Sequence, residues 1–399
     1  MLFRSSPAQS AQLAEARNLL IEAENDRPAW AQIKQLFAEI ALRQGDITTA
    51  IERLQQATRL GPPNPSIIRQ LVSLLYLTNR LDEAQQALAL VGPDGLEGME
   101  RLSAEIELKS GQFDAAIALA ERSVEAGQNL SAGELLWFGQ LLARAGKVER
   151  AGQVLERAVE ADPGQPISWL ALFSAQLAIG QRAAAEKTLE RGRDALPSPQ
   201  RELVFAQGQE SLGQFAAAEQ SFRAALAAAP GDAEVARAVA GFFLRRGRLL
   251  EAREQLEAII APAIAANASM SSLRWARRTL AEPAVSQGGY GDLDRALAII
   301  DGNRDENGRL PAEDLAARLA ILAPRAEPQS WRDALDTLDR LSKMQPLSTG
   351  QRLERARLLE QLGRWDDSRN ELLALVSAPN APDRKSTRLN SSHANISYA

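Results

Sequence analysis

The sequence contains no cysteine and a single histidine, His393, among its 399 residues. Without cysteine the chain can form no disulfide bond, no thiolate nucleophile and no cysteine-based metal site, so packing alone must stabilise the fold. A chain so poor in histidine also lacks the parts of the usual nucleophile triads and of histidine-based metal sites. We therefore expect no catalytic residue, no metal site and no cofactor.

The one histidine lies in a segment that differs from the rest of the chain. Residues 383–399 have no helical apolar periodicity, and they closely resemble the translation of a sequencing-library adapter. We interpret them as a non-native disordered tail. The alternative interpretation is a genuine polar tail. On the first interpretation, His393 has no place in a catalytic site.

A basic surface and a long apolar run are also missing. The formal net charge of −5 and the pI near 5.4 argue against a nucleic-acid partner, which would require a basic face. The best apolar run, residues 259–264, is interrupted by Pro262 and is far shorter than the roughly 18–20 residues that cross a bilayer. The first residues do not contain the apolar core of a secretory signal. We expect no nucleic-acid binding, no membrane insertion and, by default, a cytoplasmic location.

What the sequence does contain is a pattern that recurs about every 34 residues. In most units a glycine precedes an alanine by five residues, and a large apolar residue follows the alanine by four. The alanine positions are Ala16, Ala50, Ala84, Ala116, Ala151, Ala185, Ala218, Ala252, Ala296 and Ala334, with Ser368 as the last member. The glycine positions are Gly45, Gly111, Gly146, Gly180, Gly213, Gly247, Gly291 and Gly363, with Asn79 in the same register.

Each recurring residue type has a physical task. A glycine in the left-handed conformation ends the first helix of a unit, because it caps the last carbonyl groups without a steric cost. The alanine lets the two helix axes of a unit approach closely, and the large residue fills the space beside it. Proline ends the second helix because it cannot continue it. The prolines in this register are Pro62, Pro163, Pro197 and Pro230.

With glycine, alanine and proline in this register, units such as residues 131–165 resemble the tetratricopeptide repeat family. The resemblance covers residues 8–382 and implies an all-α, right-handed superhelical solenoid of antiparallel helix pairs. It divides the chain into a partial first repeat with only its second helix (1–30), regular repeats (31–266), longer irregular repeats (267–346), a last repeat (347–382) and the tail (383–399). Phe173 departs from the family pattern, because its position is usually small. The incomplete repeats at both ends indicate a fragment of a longer protein.

The resemblance also implies a binding site, because the first helix of each repeat lines a groove in this family. Residues four apart on that helix share a face. The groove residues predicted in this way are Arg101, Glu105, Leu136, Gln140, Arg144, Leu170, Ser174, Leu203, Gln207, Arg237 and Arg245. Leucines and amides flanked by arginines suit an amphipathic or acidic-ended segment. The alternative is that these side chains continue the helix packing or face solvent without a partner.

Three weaker patterns have ordinary explanations. Residues 303–314 roughly copy a calcium loop, but Asn303 and Asp314 stand where an aspartate and a glutamate belong, so a polar inter-helix loop is favoured. The glycine-rich residues 288–292 lack a following lysine or hydroxyl residue for a phosphate, which favours a helix break. Trp275 with Arg277 and Arg278 indicates an inward tryptophan beside solvated arginines.

Taken together, these features predict a non-catalytic protein-interaction scaffold that binds a peptide or helix of a partner protein in its groove. The alternative is the recognition arm of a larger multidomain protein, such as an enzyme or an envelope export machine. A carboxylate-based hydrolase is a third hypothesis, but it would need paired acids in an enclosed cleft rather than an open solenoid surface. Uncapped repeats could also associate end to end.

Overall fold

A computed structural model of the chain describes residues 7–62, 64–92, 98–125, 130–287 and 290–376. The described ranges contain 22 helices, which confirms the all-α prediction. The helices are α1 Pro7–Asp26, α2 Ala31–Gln44, α3 Ile47–Thr58, α4 Pro65–Leu77, α5 Leu81–Ala89, α6 Glu100–Lys109, α7 Phe113–Glu125, α8 Ala132–Arg144, α9 Val148–Ala161, α10 Pro166–Ala178, α11 Arg182–Ala195, α12 Gln200–Ser211, α13 Phe215–Ala228, α14 Ala233–Arg245, α15 Leu249–Ile260, α16 Pro262–Ala265, α17 Met270–Gln287, α18 Tyr290–Asp301, α19 Ala312–Leu322, α20 Pro328–Met344, α21 Thr349–Gln361 and α22 Trp365–Val376. The tail interpreted as an adapter lies outside the described residues.

The chain divides into two compact units, of which the first ends at Leu280 and the second begins at Ala281. In the first unit consecutive helices pack as pairs, from α2 with α3 to α14 with α15. The first helix of a pair also contacts the second helix of the preceding pair, as α10 contacts α9. First helices of neighbouring pairs touch directly, because α10 packs against both α8 and α12. The first helices therefore form one layer of the unit.

The turns within the pairs confirm most of the glycine predictions. Gly146, for example, has a φ of 78°, and the backbone N–H of Lys147 donates to the carbonyl oxygen of Leu142 at 2.8 Å. This bond closes the end of α8 in the way expected for a left-handed cap. Asn79 takes the same role with a φ of 56°. Gly291 is the exception, because it lies inside the first turn of α18 and has no positive φ. The prediction that Gly291 ends a helix was therefore wrong.

The predicted small residues lie where the helices approach most closely. Ala151 and Ala218 are fully buried, and the residues four positions later, Leu155 and Phe222, are each 1% exposed. Gly139 on α8 also approaches Leu155, since a Cβ atom at that glycine would lie 2.6 Å from the Cγ atom of the leucine. The core of the first unit is thus a series of close contacts between one small and one large residue.

In the second unit, part of the calcium-like segment forms a loop in which side chains bond to the loop's own backbone. Asp305 accepts the backbone N–H groups of Asn307 and Arg309 at 2.9 and 2.8 Å. Arg304 donates to the carbonyl oxygen of Gly308 at 2.9 Å. Asp314, the predicted last ligand, is fully buried in α19. Most of the segment therefore lies in the loop between α18 and α19, and within the described residues no cluster of three or more His, Asp or Glu side chains could hold a metal ion.

A membrane-spanning helix must combine sufficient length with an apolar composition. Within the described ranges, none is both long enough and apolar enough to cross a bilayer.

Candidate binding surface

One helix of the layer formed by the first helices, α10, has no charged residue over its length from Pro166 to Ala178. One side of it is core, because Trp169 and Phe173 are 3% and 1% exposed. Phe173 occupies a position that the family usually fills with a small residue, and it packs in one cluster with Leu189 and Val204. The unusual phenylalanine is therefore accommodated as part of the core.

The opposite side of α10 carries an uncharged row of partly exposed side chains. Ile167 is 50% exposed, Leu170 is half-buried, and Ser174 and Ala178 are exposed. These four residues are spaced by three, four and four positions, so they share one helix face. We call them the α10 stripe. Leu170 and Ser174 were predicted as groove residues, whereas Ile167 was missed because it lies in the first turn, beside Pro166.

The neighbouring helices contribute unequally to the surface beside the α10 stripe. On α8, Gln140 is half-buried, but Leu136 is only 8% exposed and belongs to the hydrophobic core. On α12, Leu203 and Gln207 are both half-buried. The row of exposed leucines predicted from Leu136, Leu170 and Leu203 is therefore narrower than expected, because most of the surface of Leu136 is buried in the hydrophobic core.

On the α6 side, the predicted groove charges form one connected cluster. Glu105 accepts the indole N–H of Trp137 at 2.9 Å and a guanidinium N–H of Arg144 at 3.0 Å. The guanidinium carbon of Arg101 lies 4.8 Å from the centre of the Trp137 ring, a cation–π distance. These contacts join α6 to α8. Glu105 and Arg144 therefore neutralise each other across two repeats.

On the α14 side, a second pair joins neighbouring repeats. Arg245 donates two hydrogen bonds of 2.8 Å to the two carboxylate oxygens of Glu210, which raises the pKa of the Arg245 guanidinium although partial burial opposes the change. Bidentate pairs of this kind fix geometry as well as charge. Arg237 donates to the Ser272 hydroxyl at 3.2 Å and lies over the Trp275 ring at 5.2 Å. Both predicted arginines, Arg237 and Arg245, therefore already contact other residues of the chain.

The predicted cluster of Trp275, Arg277 and Arg278 is only partly buried. Trp275 is half-buried against the apolar cluster of α14 and α15 rather than fully enclosed, and its ring supports Arg237. Arg277 and Arg278 are half-buried as well. The sequence showed the tryptophan but not its partner, because Arg237 lies on a different repeat.

The carboxylate of Glu234 gives a pH-dependent contact beside this cluster. The Ser272 hydroxyl donates to it at 2.6 Å and the Ser269 hydroxyl at 2.8 Å. The bond from Ser272 lowers the pKa of Glu234 below its ordinary value of 4.5, although burial opposes the change. A pKa lowered by folding means that the ionised group stabilises the fold above its ordinary pKa, and that this stability is lost as the pH falls through the lowered value.

We therefore expect the urea midpoint of the first unit to fall as the pH is taken from neutral to below 4.5, and to fall less in Ser272→Ala than in the wild type. The reason is that the alanine removes the main donor that keeps Glu234 ionised. Circular dichroism in urea at several pH values measures this difference. The assignment would be wrong if wild type and Ser272→Ala lost the same stability over that range.

Comparisons with known proteins agree with this architecture. One model of the tetratricopeptide repeat matches residues 41–97 and 142–203, and a second matches residues 102–166, 203–268 and 329–383. No curated protein matches the sequence.

Several solved structures are similar at low sequence identity. The thermophilic TPR protein TTC0263 of Thermus thermophilus is 23% identical over 41% of this chain and 90% of that chain, with a TM-score of 0.31. MamA is 20% identical over 39% of this chain and 91% of its own, with a TM-score of 0.26. The complex of Naa15/Naa10 bound to HypK-THB matches 91% of this chain and 60% of that chain at 13% identity, with a TM-score of 0.35. The matched repeats make up more than half of the sequence, and the chain therefore belongs to the tetratricopeptide repeat family.

Proposed function

We propose that this chain is a non-catalytic scaffold that binds a peptide or helix of a partner protein along the α10 stripe. Tetratricopeptide repeats generally mediate protein–protein interaction. The finer proposal rests on one observation, which is that α10 presents an exposed face without charge inside a layer whose other helices are charged.

An uncharged face of this kind suits burial by a partner. Covering Ile167 and Leu170 would remove apolar surface from water, worth about 25 cal/mol per Å². No charged side chain of α10 would lose its hydration in the process, since the helix has none. Arg144 and Arg245, on either side of α10, are already paired within the chain, with Glu105 and Glu210. Such a dry centre with a polar rim is the usual anatomy of a binding surface.

The proposal predicts that Ser174→Glu weakens binding of a natural partner by about tenfold or more, because the new carboxylate would be desolvated at the centre of the interface. The matched control is Ala183→Glu, which adds the same side chain at an exposed position on α11 of the same repeat. We expect the control to bind as the wild type does.

The partner for this measurement can be obtained by photo-crosslinking in cells of the source organism. A photoreactive residue placed at Ser174 should capture a protein that the same residue at Ala183 does not. The captured protein is then purified and its affinity measured for the wild type and both variants. Equal capture from the two positions, or equal loss of affinity in the two variants, would contradict the proposal.

A further inference from the structure

Two cations on α6, which is two helices away from α10 in the layer, differ from the paired Arg144 and Arg245. Arg101 and Lys109 are both exposed and lie eight positions apart, so they share a helix face. Each is held over an aromatic ring of a neighbouring repeat, Arg101 at 4.8 Å from Trp137 and Lys109 at 4.0 Å from Tyr76. Neither has a carboxylate oxygen of a described residue within 4.0 Å.

Two acids near these cations already have other partners. Glu105, which lies between them on α6, accepts from Trp137 and from Arg144. Glu134 attracts Arg101 through space, but it caps α8 by accepting the backbone N–H and the hydroxyl of Ser131 at 2.8 and 2.7 Å. Because these acids are engaged, the positive charges of Arg101 and Lys109 are not neutralised by a direct contact.

Stacking leaves the hydrogen-bonding capacity of both groups open. A cation over a ring face is attracted by the ring electrons, at about 0.5–1 kcal/mol for an exposed pair, and this contact uses none of its N–H donors. The rings also restrict where each long side chain can point, so less conformational freedom is lost when an anion binds. Two oriented cations with unused donors therefore favour a ligand that carries carboxylates over one that carries positive charge.

The balance of charge along the predicted groove supports the same conclusion. Its charged members are four arginines and one glutamate, although the whole chain carries a net charge of −5. On α12, Glu210 is neutralised by Arg245. An anionic ligand therefore meets more arginines than acids among the predicted groove residues, and it meets no charge on α10.

The helix layer sets the distance between the two parts of such a ligand. The packing runs from α6 to α8 and from α8 to α10. Packed helices lie about 8–10 Å apart, so two steps span roughly 16–20 Å. An extended chain advances about 3.3 Å per residue and covers this distance in about five or six residues.

We propose that the partner segment is an extended peptide with acidic residues that contact Arg101 and Lys109 on α6 and apolar residues, about five or six positions away, that cover the α10 stripe. This inference rests on the proposed function, since it names the ligand chemistry of the same surface. It adds a direction to the bound segment, with its acidic part on the α6 side.

The test uses three short fluorescent peptides of defined sequence, each with a leucine pair. In the first, an aspartate pair lies about five residues from the leucine pair. The second has the same composition with the two pairs adjacent, and the third replaces the aspartates by asparagines. Fluorescence anisotropy measures their affinities for the full chain. We expect the first peptide to bind about three- to tenfold more tightly than either of the others, and the difference to disappear at high salt.

Variants then assign the preference to the two cations. Arg101→Gln with Lys109→Gln should remove the three- to tenfold advantage of the first peptide and leave the asparagine peptide unchanged. Lys187→Gln, which removes an exposed cation on α11, should change neither peptide. Lys109→Gln alone is a second variant that leaves the Arg101–Trp137 contact intact, and it should remove part of the advantage. Unfolding midpoints confirm that the variants are folded.

The outcomes separate this inference from the proposed function. If the aspartate and asparagine peptides bind equally and both lose affinity in Ser174→Glu, the α10 stripe binds peptides, but the proposed contact of acidic residues with Arg101 and Lys109 is wrong. If Ser174→Glu weakens no peptide, the proposed surface itself is wrong. If the first peptide keeps its advantage in the double variant, or none of the peptides binds, the inference is overturned.

Discussion

Replacing Phe222 by alanine is expected to lower the free energy of unfolding of the first unit by about 3–5 kcal/mol. The side chain is 1% exposed, and its ring centre lies 4.9 Å from that of Phe242 on α14. Phe222 follows the fully buried Ala218 by four positions, so it fills the space that the small residue leaves. The alanine would leave a cavity between α13 and α14 and would remove the ring contact.

Phe215 provides the matched control, because it lies on the same helix and is 40% exposed. Phe215→Ala should cost less than about 1 kcal/mol, mainly through the lost contact with Arg246. Urea denaturation followed by circular dichroism measures both. Hydrogen exchange of the backbone amides in α13 and α14 should be measured as well, because repeats can unfold separately and a loss confined to these helices could escape the urea experiment. Similar losses for the two variants would show that Phe222 does not have the packing role assigned to it.

The same substitution at two glycines of one repeat is expected to change stability in opposite directions. Gly139 lies inside α8, where a Cβ atom would be 2.6 Å from both Cγ and Cδ2 of Leu155. Leu155 is 1% exposed and cannot swing aside, so Gly139→Ala should destabilise the first unit by about 1–3 kcal/mol. Gly152 lies inside α9, and a Cβ atom there would meet nothing within 4 Å. Gly152→Ala should stabilise it by about 0.5–1 kcal/mol, because alanine is the better helix former.

Urea midpoints of the two variants and the wild type measure this difference in sign. A double variant with Gly139→Ala and Leu155→Ala identifies the cause, because the smaller side chain relieves the overlap. Gly139→Ala should then cost much less in the Leu155→Ala background than alone. If Gly139→Ala stabilised the protein as Gly152→Ala does, α8 and α9 would not approach as closely as the structure shows.

Most of the fold could be predicted from the sequence because its determinants are local. A glycine such as Gly146 must adopt a positive φ at a fixed place in each unit, and a residue such as Ala151 must be small where two helices meet. Both requirements repeat at a constant spacing and therefore reinforce each other along the chain. Gly291 shows where this reasoning fails, since a glycine in the right register is also tolerated inside a helix, as in α18.

The candidate surface was less predictable because exposure depends on the neighbouring repeats. Spacing along one helix correctly gave the face shared by Leu170 and Ser174. It could not show that Leu136, in the same register one repeat earlier, is only 8% exposed. Nor could it show that Glu105 bonds to Trp137 and Arg144, which lie 32 and 39 residues away. Such contacts are set by how one repeat packs on the next, and the pattern within a single repeat does not contain them.

The charge pairs between repeats have a consequence for how the array loses its structure. The stability of a repeat protein is approximately the sum of a term for each repeat and a coupling term for each junction. Arg144 with Glu105, and Arg245 with Glu210, belong to junctions and to no single repeat. Salt screens such exposed pairs but leaves the apolar contacts within a helix pair largely unaffected. Raising the ionic strength should therefore weaken the coupling at these junctions relative to the stability of each repeat. The unfolding transition should then be broader at high salt than at low salt.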